Sequence, residues 1–262
     1  MTLSTRQERI ATLFRQQGEM TIDSLASHFR LAPQTIRRDI NVLCDMNVLR
    51  RTHGGARLIT QGANQPYELR RVRNLNGKAR IGAAAAKLIP DGSTVLLGIG
   101  TTPEQVALAL LARQRLTVVT NNFRAALALA AQPGHRVIVP GGELRRQNPE
   151  ILGSSADALF REYRADFGIY GVGGIDEDGT LLDYDRQEAA SREALLCSCR
   201  MGILVADTWK FSRRPSVRHD NLLMQHTLIT DDEPPTGVRE LIGDRVRLIV
   251  ANEEAESVHV ER

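Results

Sequence analysis

The sequence predicts an α/β protein in two parts, with a small, mainly helical N-terminal domain over residues 1–57 and a larger domain over 77–255. Two observations indicate this division. Apolar residues recur at helical spacing in the first sixty residues, whereas from residue 77 short β-branched runs alternate with alanine-rich stretches. The 262 residues and their 42% hydrophobic content suffice for buried cores. Residues 58–76 lose this periodicity and are expected to form a linker.

The net charge of +3 is unevenly distributed along the chain. The first sixty residues contain nine arginines and five acidic residues, a net charge of +4, and the remainder carries −1. A basic domain joined to a nearly neutral one is typical of a protein in which only the small domain meets a polyanion.

The sequence predicts a cytoplasmic protein with no membrane partner, no metal and no cofactor. Its longest apolar runs fall far short of the roughly 20 residues that span a membrane, and its first residues lack the apolar core of a signal peptide. Cys44, Cys197 and Cys199 show no zinc-type spacing, so reduced thiols are expected.

Three helices are predicted in the N-terminal domain. The first begins in a capping box over residues 5–8 and ends at Gly18. The second begins at Thr21 and ends near Phe29, and the third opens at Pro33, because the first turn of a helix tolerates proline. Two helices separated by so short a connection predict a helix-turn-helix.

The third helix presents a polar row on the side opposite its apolar stripe. Arginine pairs with guanine, glutamine pairs with adenine, and a threonine methyl contacts thymine, so such a row can read DNA bases. An ordinary solvated face would contain more acidic residues than Asp39 alone. The residues predicted to contact DNA are Gln34, Thr35, Arg37, Arg38 and Asn41.

A hairpin is predicted immediately after this helix. Residues 48–56 form a short strand running into a glycine-glycine turn, with Arg50 and Arg51 beside it. A hairpin of this kind places cations against the phosphates that flank the groove. His53 is either a pH-sensitive phosphate ligand or a neutral turn residue. Residues 1–57 are therefore expected to form a winged helix-turn-helix that binds duplex DNA, with Arg50, Arg51 and His53 in the wing.

Alternating strands and helices in the second part predict a mostly parallel sheet covered on both faces. The expected strands are 94–97, 116–120, 137–139, 167–172, 202–206, 227–230 and 246–250. The expected helices are 79–88, 103–111, 122–130 and 187–199.

Ligands of such sheets bind beyond the carboxyl ends of the strands, where this sequence has small and polar loops. The turn at residues 100–102 predicts a phosphate-sized anion site at a helix start, with Thr102 as the cap and Pro103 as the first helical residue, although plain helix capping is an alternative. Pro103 replaces the third glycine of a dinucleotide motif, and no P-loop lysine follows. Lys210 is either a cation for the phosphate or a surface lysine.

The other strand ends complete a predicted crevice for a phosphorylated polyol. Asp176 opens an acidic stretch without the calcium-loop pattern, which favours turn capping or contacts with sugar hydroxyls over a metal site. The predicted effector-binding residues are Gly100, Thr101, Thr102, Thr120, Asn121, Asn122, Gly141, Gly142, Gly173, Gly174, Asp176 and Lys210.

The order of these motifs resembles the DeoR family of transcriptional regulators, and especially members that govern glycerol 3-phosphate metabolism. The resemblance runs from about Thr5 to Asp232. It departs from the family pattern at Ala32, Gly98 and Trp209, where a capping serine, a polar residue and a small residue are usual. The matching motifs lie at residues 33–40, 53–56, 99–104, 119–122, 141–145, 166–169, 174–176, 178–179, 181–185 and 210–211.

This resemblance implies a DNA-binding domain and a sensor domain similar in fold to ribose-5-phosphate isomerase. It places Val172 and Ile175 at the isomerase's acid positions and Asp185 near its lysine, so binding without catalysis is expected and the protein is not expected to be an enzyme. The function implied is a repressor of a carbohydrate or glycerol catabolic operon. It would bind operator DNA as a homo-oligomer, a dimer or a tetramer, and a phosphorylated sugar or polyol, foremost glycerol 3-phosphate, would release it.

Two alternatives remain open at this point. One is an isomerase-like enzyme with an accessory DNA-binding domain, and the other is a transcriptional activator.

Overall fold

The computed structural model describes residues 4–45, 48–58, 64–146 and 148–252. The chain divides into two compact units, Met1–Ala63 and Asn64–Arg262, called here the first and second units. Within the described ranges, no helix is both long and apolar enough to span a membrane.

The first unit is a winged helix-turn-helix, as the sequence predicts. Its sheet is antiparallel, with the strand order β1-β3-β2, and strand β1 was not predicted. The elements are α1 (Thr5–Gln17), β1 (Glu19–Thr21), α2 (Ile22–Phe29), α3 (Pro33–Asp45), β2 (Leu49–Thr52) and β3 (Gly55–Leu58).

The apolar stripes of the three helices meet in one core. Phe14 of α1, Leu25 of α2 and Ile36 of α3 are fully buried there, and Leu49 and Ala56 of the hairpin close it. The capping box of α1 lies one residue earlier than predicted: the Ser4 hydroxyl accepts the Gln7 N–H, and the Gln7 side chain accepts the Ser4 N–H.

A glycine sets the distance between the hairpin and strand β1. A Cβ atom on Gly55 would lie 2.2 Å from the Met20 carbonyl oxygen, so any side chain at residue 55 would push β1 away from β3. The pairing of these two strands therefore requires glycine at this position.

Asp39 of α3 does not belong to the solvated row of the helix, in which the sequence analysis placed it. The residue is 3% exposed, and its carboxylate accepts hydrogen bonds from Arg6 Nε at 2.7 Å and from Gln7 Nε2 at 3.2 Å. Asp39 thus ties α1 to α3, and the outward row of α3 is left without this negative charge.

The second unit contains a seven-stranded sheet, and each of its strands overlaps one of the seven predicted strands. Every neighbouring pair is parallel, in the order β13-β12-β10-β7-β4-β5-β6. The strands are β4 (Thr94–Leu97), β5 (Thr117–Thr120), β6 (Arg136–Ile138), β7 (Ala165–Tyr170), β10 (Cys199–Val205), β12 (Thr227–Thr230) and β13 (Arg247–Val250).

Helices cover this sheet on both faces. Alternate residues of β4 point to opposite sides: Val95 and Leu97 join one apolar cluster, and Leu96 joins the other. The predicted helices correspond to α5 (Leu75–Lys87), α6 (Thr101–Leu110), α7 (Phe123–Ala130) and α9 (Arg186–Cys197). The helices that were not predicted are α4 (Tyr67–Val72), α8 (Ser154–Arg161) and α10 (Thr236–Ile242).

A small second sheet was also not predicted. It is antiparallel, in the order β11-β9-β8. Its strands are β8 (Gly174–Ile175), β9 (Thr180–Asp183) and β11 (Val217–Asn221).

The direction in which the chain winds reverses at β4. From β4 the chain proceeds outward through β5 and β6, then returns to place β7 on the other side of β4. At such a reversal the connections leave on opposite sides and open a crevice at the carboxyl ends of the two central strands.

Helix α4 lies inside the segment predicted as a linker, residues 58–76. Residues 59–63 of that segment lie outside the described residues, and from Asn64 onward the chain belongs to the second unit. Tyr67 is buried and its hydroxyl donates to Glu104 Oε2 at 2.6 Å, while Arg71 Nε lies 3.2 Å from Glu104 Oε1. These contacts hold α4 on α6, so folded structure begins before residue 77.

Removal of the Asp39 carboxylate should loosen the first unit. Because hydrogen bonds to charged groups contribute about 1.5–3 kcal/mol, D39A should destabilise this unit by about 1–3 kcal/mol, part of the loss being offset by the helix propensity of alanine. The measurement is hydrogen exchange of the α1 and α3 amides in the full chain, with the exposed Glu19→Ala as the control. If the stability lost in the double variant R6A/D39A equals the sum of the losses in R6A and D39A, the two side chains are not coupled.

Candidate functional site

A groove lies between α3 and the β2–β3 hairpin of the first unit. It encloses about 690 Å³, counting its open side. It brings together five of the eight residues predicted to contact DNA: Gln34, Arg37, Arg38, Asn41 and Arg51. Of the described residues that line it, three are arginines and none is acidic. Its walls therefore offer cations and amides to a polyanion.

Hydrogen bonds orient the polar side chains of this groove. Arg37 Nη1 donates to Gln34 Oε1 at 3.4 Å on the exposed face of α3. Arg51 of the hairpin donates to Asn41 Oδ1 of α3. The second contact links the wing to the helix and fixes both sides of the groove relative to each other.

The other three predicted DNA contacts lie outside the lining of this groove. Thr35 is half-buried on α3, and His53 is exposed in the hairpin turn. Arg50 pairs across the hairpin with Arg57, and because side chains alternate along a strand it points away from Arg51. The assignment of these three to DNA contacts stays a prediction.

The second unit has a cavity at the carboxyl ends of β4, β7 and β10. The space between its walls is about 490 Å³, counting its mouth. Five of the twelve predicted effector-binding residues line it together: Gly100, Thr101, Thr102, Gly173 and Lys210. Asp183, from the acidic stretch that begins at Asp176, also lines it, together with four charged residues that were not predicted, namely Arg70, Glu150, Glu188 and Arg192.

The first turn of α6 presents backbone N–H groups to this cavity. Gly100 precedes the helix with φ of 119°, a conformation that favours glycine, and contributes no side-chain cap. The helix starts at Thr101, not at Pro103 as predicted, so Thr101 and Thr102 lie in its first turn. Uncapped N–H groups and the positive end of the helix dipole together attract anions.

Cations outnumber carboxylates beside this helix start. Burial, opposed by the negative charge of Asp207 and assisted by the positive charges of Arg70, Arg213 and Lys78, lowers the pKa of Lys210 to about 7. Lys78 is itself buried and lies 3.6 Å from Asp207. Three further cations and one carboxylate, Asp207, thus act on Lys210, and an anion in the cavity would relieve the repulsion among these cations.

Two buried glutamates occupy another part of the cavity wall. Burial, followed by repulsion from Glu188, raises the pKa of Glu150 to about 7, and burial followed by repulsion from Asp183 raises the pKa of Glu188. Arg145 Nη1 lies 3.2 Å from Glu150 and 3.6 Å from Glu188. A carboxyl group with a pKa near 7, as in Glu150, can both donate to and accept from ligand hydroxyls.

A buried ion pair fixes the loop after β7. Arg192 pairs with Asp183, and both side chains are almost fully enclosed. Arg192 Nε donates to the Gly171 carbonyl oxygen at 3.0 Å, and the Gly173 N–H donates to Asp183 Oδ1 at 3.0 Å. The pair therefore holds the loop by its backbone groups.

The lone tryptophan is stacked between two arginines next to Lys210. The Arg73 guanidinium carbon lies 3.6 Å from the centroid of the Trp209 ring, and that of Arg213 lies 4.4 Å from it. Arg213 Nε also donates to the hydroxyl of Tyr184, which lines the cavity, at 2.7 Å. Cation–π contacts thus connect the cavity wall to Arg73, which caps the end of α4.

The residues predicted at the end of β5 make contacts within the fold. The Thr120 hydroxyl donates to the Leu97 carbonyl oxygen, and the Asn121 amide donates to Ile151 O and Ser191 Oγ. Asn122 caps α7, and its amide donates to the Gly100 carbonyl oxygen at 3.1 Å. Asn122 thereby supports the anion-binding turn from outside the cavity lining.

The remaining four predicted effector residues also lie away from this lining. Gly141 accepts a hydrogen bond from the Ser155 hydroxyl, and Gly142 has φ of 142° in the same loop. Gly174 pairs within the small sheet, and Asp176 lies 2.9 Å from Arg214. No group of three or more potential metal-ligating side chains occurs among the described residues, the acidic stretch after Asp176 included.

Comparisons with known proteins agree with this division of the chain. Residues 6–62 match the model of the DeoR-like helix-turn-helix domain, and residues 73–232 match that of the DeoR C-terminal sensor domain. The chain is 39% identical to the glycerol-3-phosphate regulon repressor of Escherichia coli K12 over 93% of this chain and 97% of that one. It is 38% identical to the repressor of the same name from Haemophilus influenzae over 96% and 98% of the two chains.

Among solved structures, ribose 5-phosphate isomerase from Plasmodium falciparum is a distant neighbour. The two share 14% identity and a TM-score of 0.39 over 53% of each chain.

Loss of the two exposed α3 arginines should abolish tight binding to duplex DNA. Each bidentate base contact contributes about 1–3 kcal/mol, so R37A and R38A should each weaken specific binding, and the double variant should weaken it most. Fluorescence anisotropy with labelled duplexes measures the affinity, with R161A as the control because Arg161 is an exposed arginine at the end of α8 in the second unit. Full affinity in R37A/R38A would exclude the groove as the DNA-binding surface.

Anion affinity of the cavity should fall as the pH rises through about 7. Above its pKa of about 7 Lys210 is neutral, and Glu150, with a similar pKa, is charged and repels the anion, so both groups act in the same direction. Anion binding should therefore take up protons. Sulfate, which stays a dianion across this range, is titrated calorimetrically in buffers of different ionisation enthalpy. Fewer protons should be taken up on sulfate binding in K210A and in E150Q. A sulfate affinity of the wild type that does not depend on pH would contradict the assignment of Lys210 and Glu150 to the anion site.

Proposed function

The chain belongs to the DeoR family of transcriptional regulators, and we propose that it represses a carbohydrate or glycerol catabolic operon until a phosphorylated effector releases it. The first unit would bind operator DNA through the groove between α3 and the hairpin. The second unit would hold a sugar or polyol phosphate, foremost glycerol 3-phosphate, at the carboxyl ends of its central strands. The protein would act in the cytoplasm as a homo-oligomer, a dimer or a tetramer.

The cations gathered around Lys210, beside the start of α6, are the observation that carries the effector part of this proposal. Burial lowers the pKa of Lys210, the neighbouring cations lower it too, and the uncapped start of α6 adds further positive potential. A phosphate group with two negative charges matches both features. The Glu150 and Glu188 carboxyl groups supply partners for the hydroxyls of the same ligand.

The names of the similar repressors favour glycerol 3-phosphate over larger sugar phosphates. This ligand has one phosphate and two hydroxyls, which correspond to the cationic and the carboxyl parts of the cavity wall. Release requires that the effector bind more tightly to a state of the protein that has lower affinity for DNA. An effector that bound both states equally would not change the equilibrium between them.

The two alternatives differ from this proposal in what they predict. An isomerase would interconvert ribose 5-phosphate and its ketose isomer, whereas a repressor binds without turnover. An activator would lower expression of its target genes when deleted, whereas deletion of a repressor raises expression. The reported relatives are named repressors, which favours repression.

A variant without the phosphate contacts should remain on DNA when effector is present. Because charge-assisted hydrogen bonds contribute about 1.5–3 kcal/mol each, T101A/K210A should need at least about tenfold more glycerol 3-phosphate for release than the wild type. The measurement is anisotropy of operator DNA, taken from the promoters of neighbouring catabolic genes, during titration with glycerol 3-phosphate or unphosphorylated glycerol.

The control for this experiment is K87A, because Lys87 is an exposed lysine at the end of α5. It should be released like the wild type. If no phosphate in a panel of three- to six-carbon compounds changes the operator affinity of the wild type, the effector part of the proposal is wrong.

A further inference from the structure

Helix α4 contributes a charged residue to the cavity and immediately follows the segment that joins the two units. We propose that Arg70 binds the effector phosphate and that α4 is the element through which effector binding reaches the DNA-binding unit. This inference rests on the proposed function and adds to it a binding residue and a route. Arg70 lines the same cavity as Thr101, Thr102 and Lys210.

The surroundings of Arg70 leave it available to an anion. Its guanidinium donates to two neutral oxygens, Gln65 O at 2.9 Å and Asn148 Oδ1 at 2.7 Å. Burial lowers its pKa, while the negative charges of Glu150 and Glu188 act in the opposite direction. An arginine bonded to neutral acceptors retains its full charge for a phosphate, which its planar fork can bind through two hydrogen bonds.

Polar contacts, and not apolar burial, hold most of α4 in place. The helix has only six residues, too few to be stable alone, and its apolar Leu69 and Val72 are 38% and 67% exposed. Tyr67 is the one residue of α4 that is fully buried, and its hydroxyl bonds to Glu104. A helix held in this way responds to a change of charge nearby, because little apolar surface opposes its movement.

The anchor of α4 lies on the same helical turn that would receive the phosphate. Glu104 is the fourth residue of α6, and it accepts from Tyr67 and pairs with Arg71. The phosphate would bind at Thr101 and Thr102, one turn away or less. Anion binding and the docking of α4 therefore act on the same few residues, and each alters the electrostatic environment of the other.

The end of α4 is also bonded to the cation cluster. Lys78 Nζ donates to the carbonyl oxygens of Arg70 and Arg73, and Lys78 pairs with Asp207. Arg73 in turn stacks on Trp209, next to Lys210. A phosphate that redistributes charge among these cations would change the contacts at both ends of α4.

The covalent chain gives this helix its role in transmission. The first unit ends at Ala63, and the chain continues directly into Asn64, which lines the cavity, and then into α4. Any shift of α4 therefore displaces the point from which the DNA-binding unit extends. Effector binding can therefore affect the DNA-binding unit without a change that passes through the core of the parallel sheet.

The binding part of this inference is tested by calorimetry on the full-length protein with glycerol 3-phosphate and with sulfate. R70A should bind each at least about tenfold more weakly, and R70K should recover part of the loss because it keeps the charge. R161A is the matched control, since Arg161 is exposed at the end of α8. Thermal unfolding identifies any variant that fails to fold. Unchanged affinity in a folded R70A would overturn the assignment.

The transmission part is tested with Y67F/R71A, in which the anchors on Glu104 are lost and the residues that line the cavity are kept. Glycerol 3-phosphate should still bind within about threefold of the wild-type affinity, but the change that it causes in operator affinity should shrink at least about fivefold. Hydrogen exchange of the α4 amides should slow on effector binding in the wild type and not in this variant. An undiminished change in operator affinity would overturn the route through α4.

These outcomes are separate from failure of the proposed function. If the wild type is released normally while R70A and Y67F/R71A behave like it, only the inference about α4 fails. If glycerol 3-phosphate and the wider phosphate panel leave operator affinity unchanged in the wild type, the proposed function fails whatever the variants show.

Discussion

The reversal of winding between β4 and β7 is the constraint on which the second unit depends. Because the connections leave these two strands in different directions, the backbone at their carboxyl ends is not covered by either, and a cavity opens there. The start of α6 can then lie at the edge of the cavity with its N–H groups directed inward. Gly100 makes this possible, since the turn that connects β4 to α6 needs a positive φ. The charged residues of the site are arranged around this backbone feature.

Secondary structure with a strong apolar pattern was predictable, and structure held by polar contacts was not. All seven strands of the parallel sheet were found because they are short apolar runs, and those of β4, β5 and β12 are buried on both faces. Helix α4 was missed because Leu69 and Val72 are exposed and give it no apolar stripe. The small sheet was missed since its strand β8 has only two residues. Asp39 was misplaced because helical spacing within α3 does not show that Arg6 of α1 forms an ion pair with its carboxylate.

The site was predictable where it depends on strand ends, and not where it depends on packing. Gly100 to Thr102, Gly173 and Lys210 come shortly after strand ends and line the cavity, whereas Arg70 and Glu150 reach it from elements far away in the sequence. Glu188 and Arg192 did leave a signal in the sequence, because they are charged residues four apart in a helix that is otherwise rich in alanine. The structure shows that both are buried. The assignment of Asn121 and Asn122 to the ligand stays a prediction, and in the structure their amides donate to backbone carbonyl oxygens, a use that the sequence alone does not reveal.

The stacking of Trp209 between Arg73 and Arg213 has a practical consequence. Since the protein contains no second indole, all of its tryptophan emission originates beside Lys210. The fluorescence of an indole depends on the charges near its ring, so its wavelength and intensity will follow the ionic state of the cavity directly. The unlabelled protein thus carries an intrinsic optical reporter of cavity occupancy, suited to stopped-flow recording of how fast a small molecule enters and leaves.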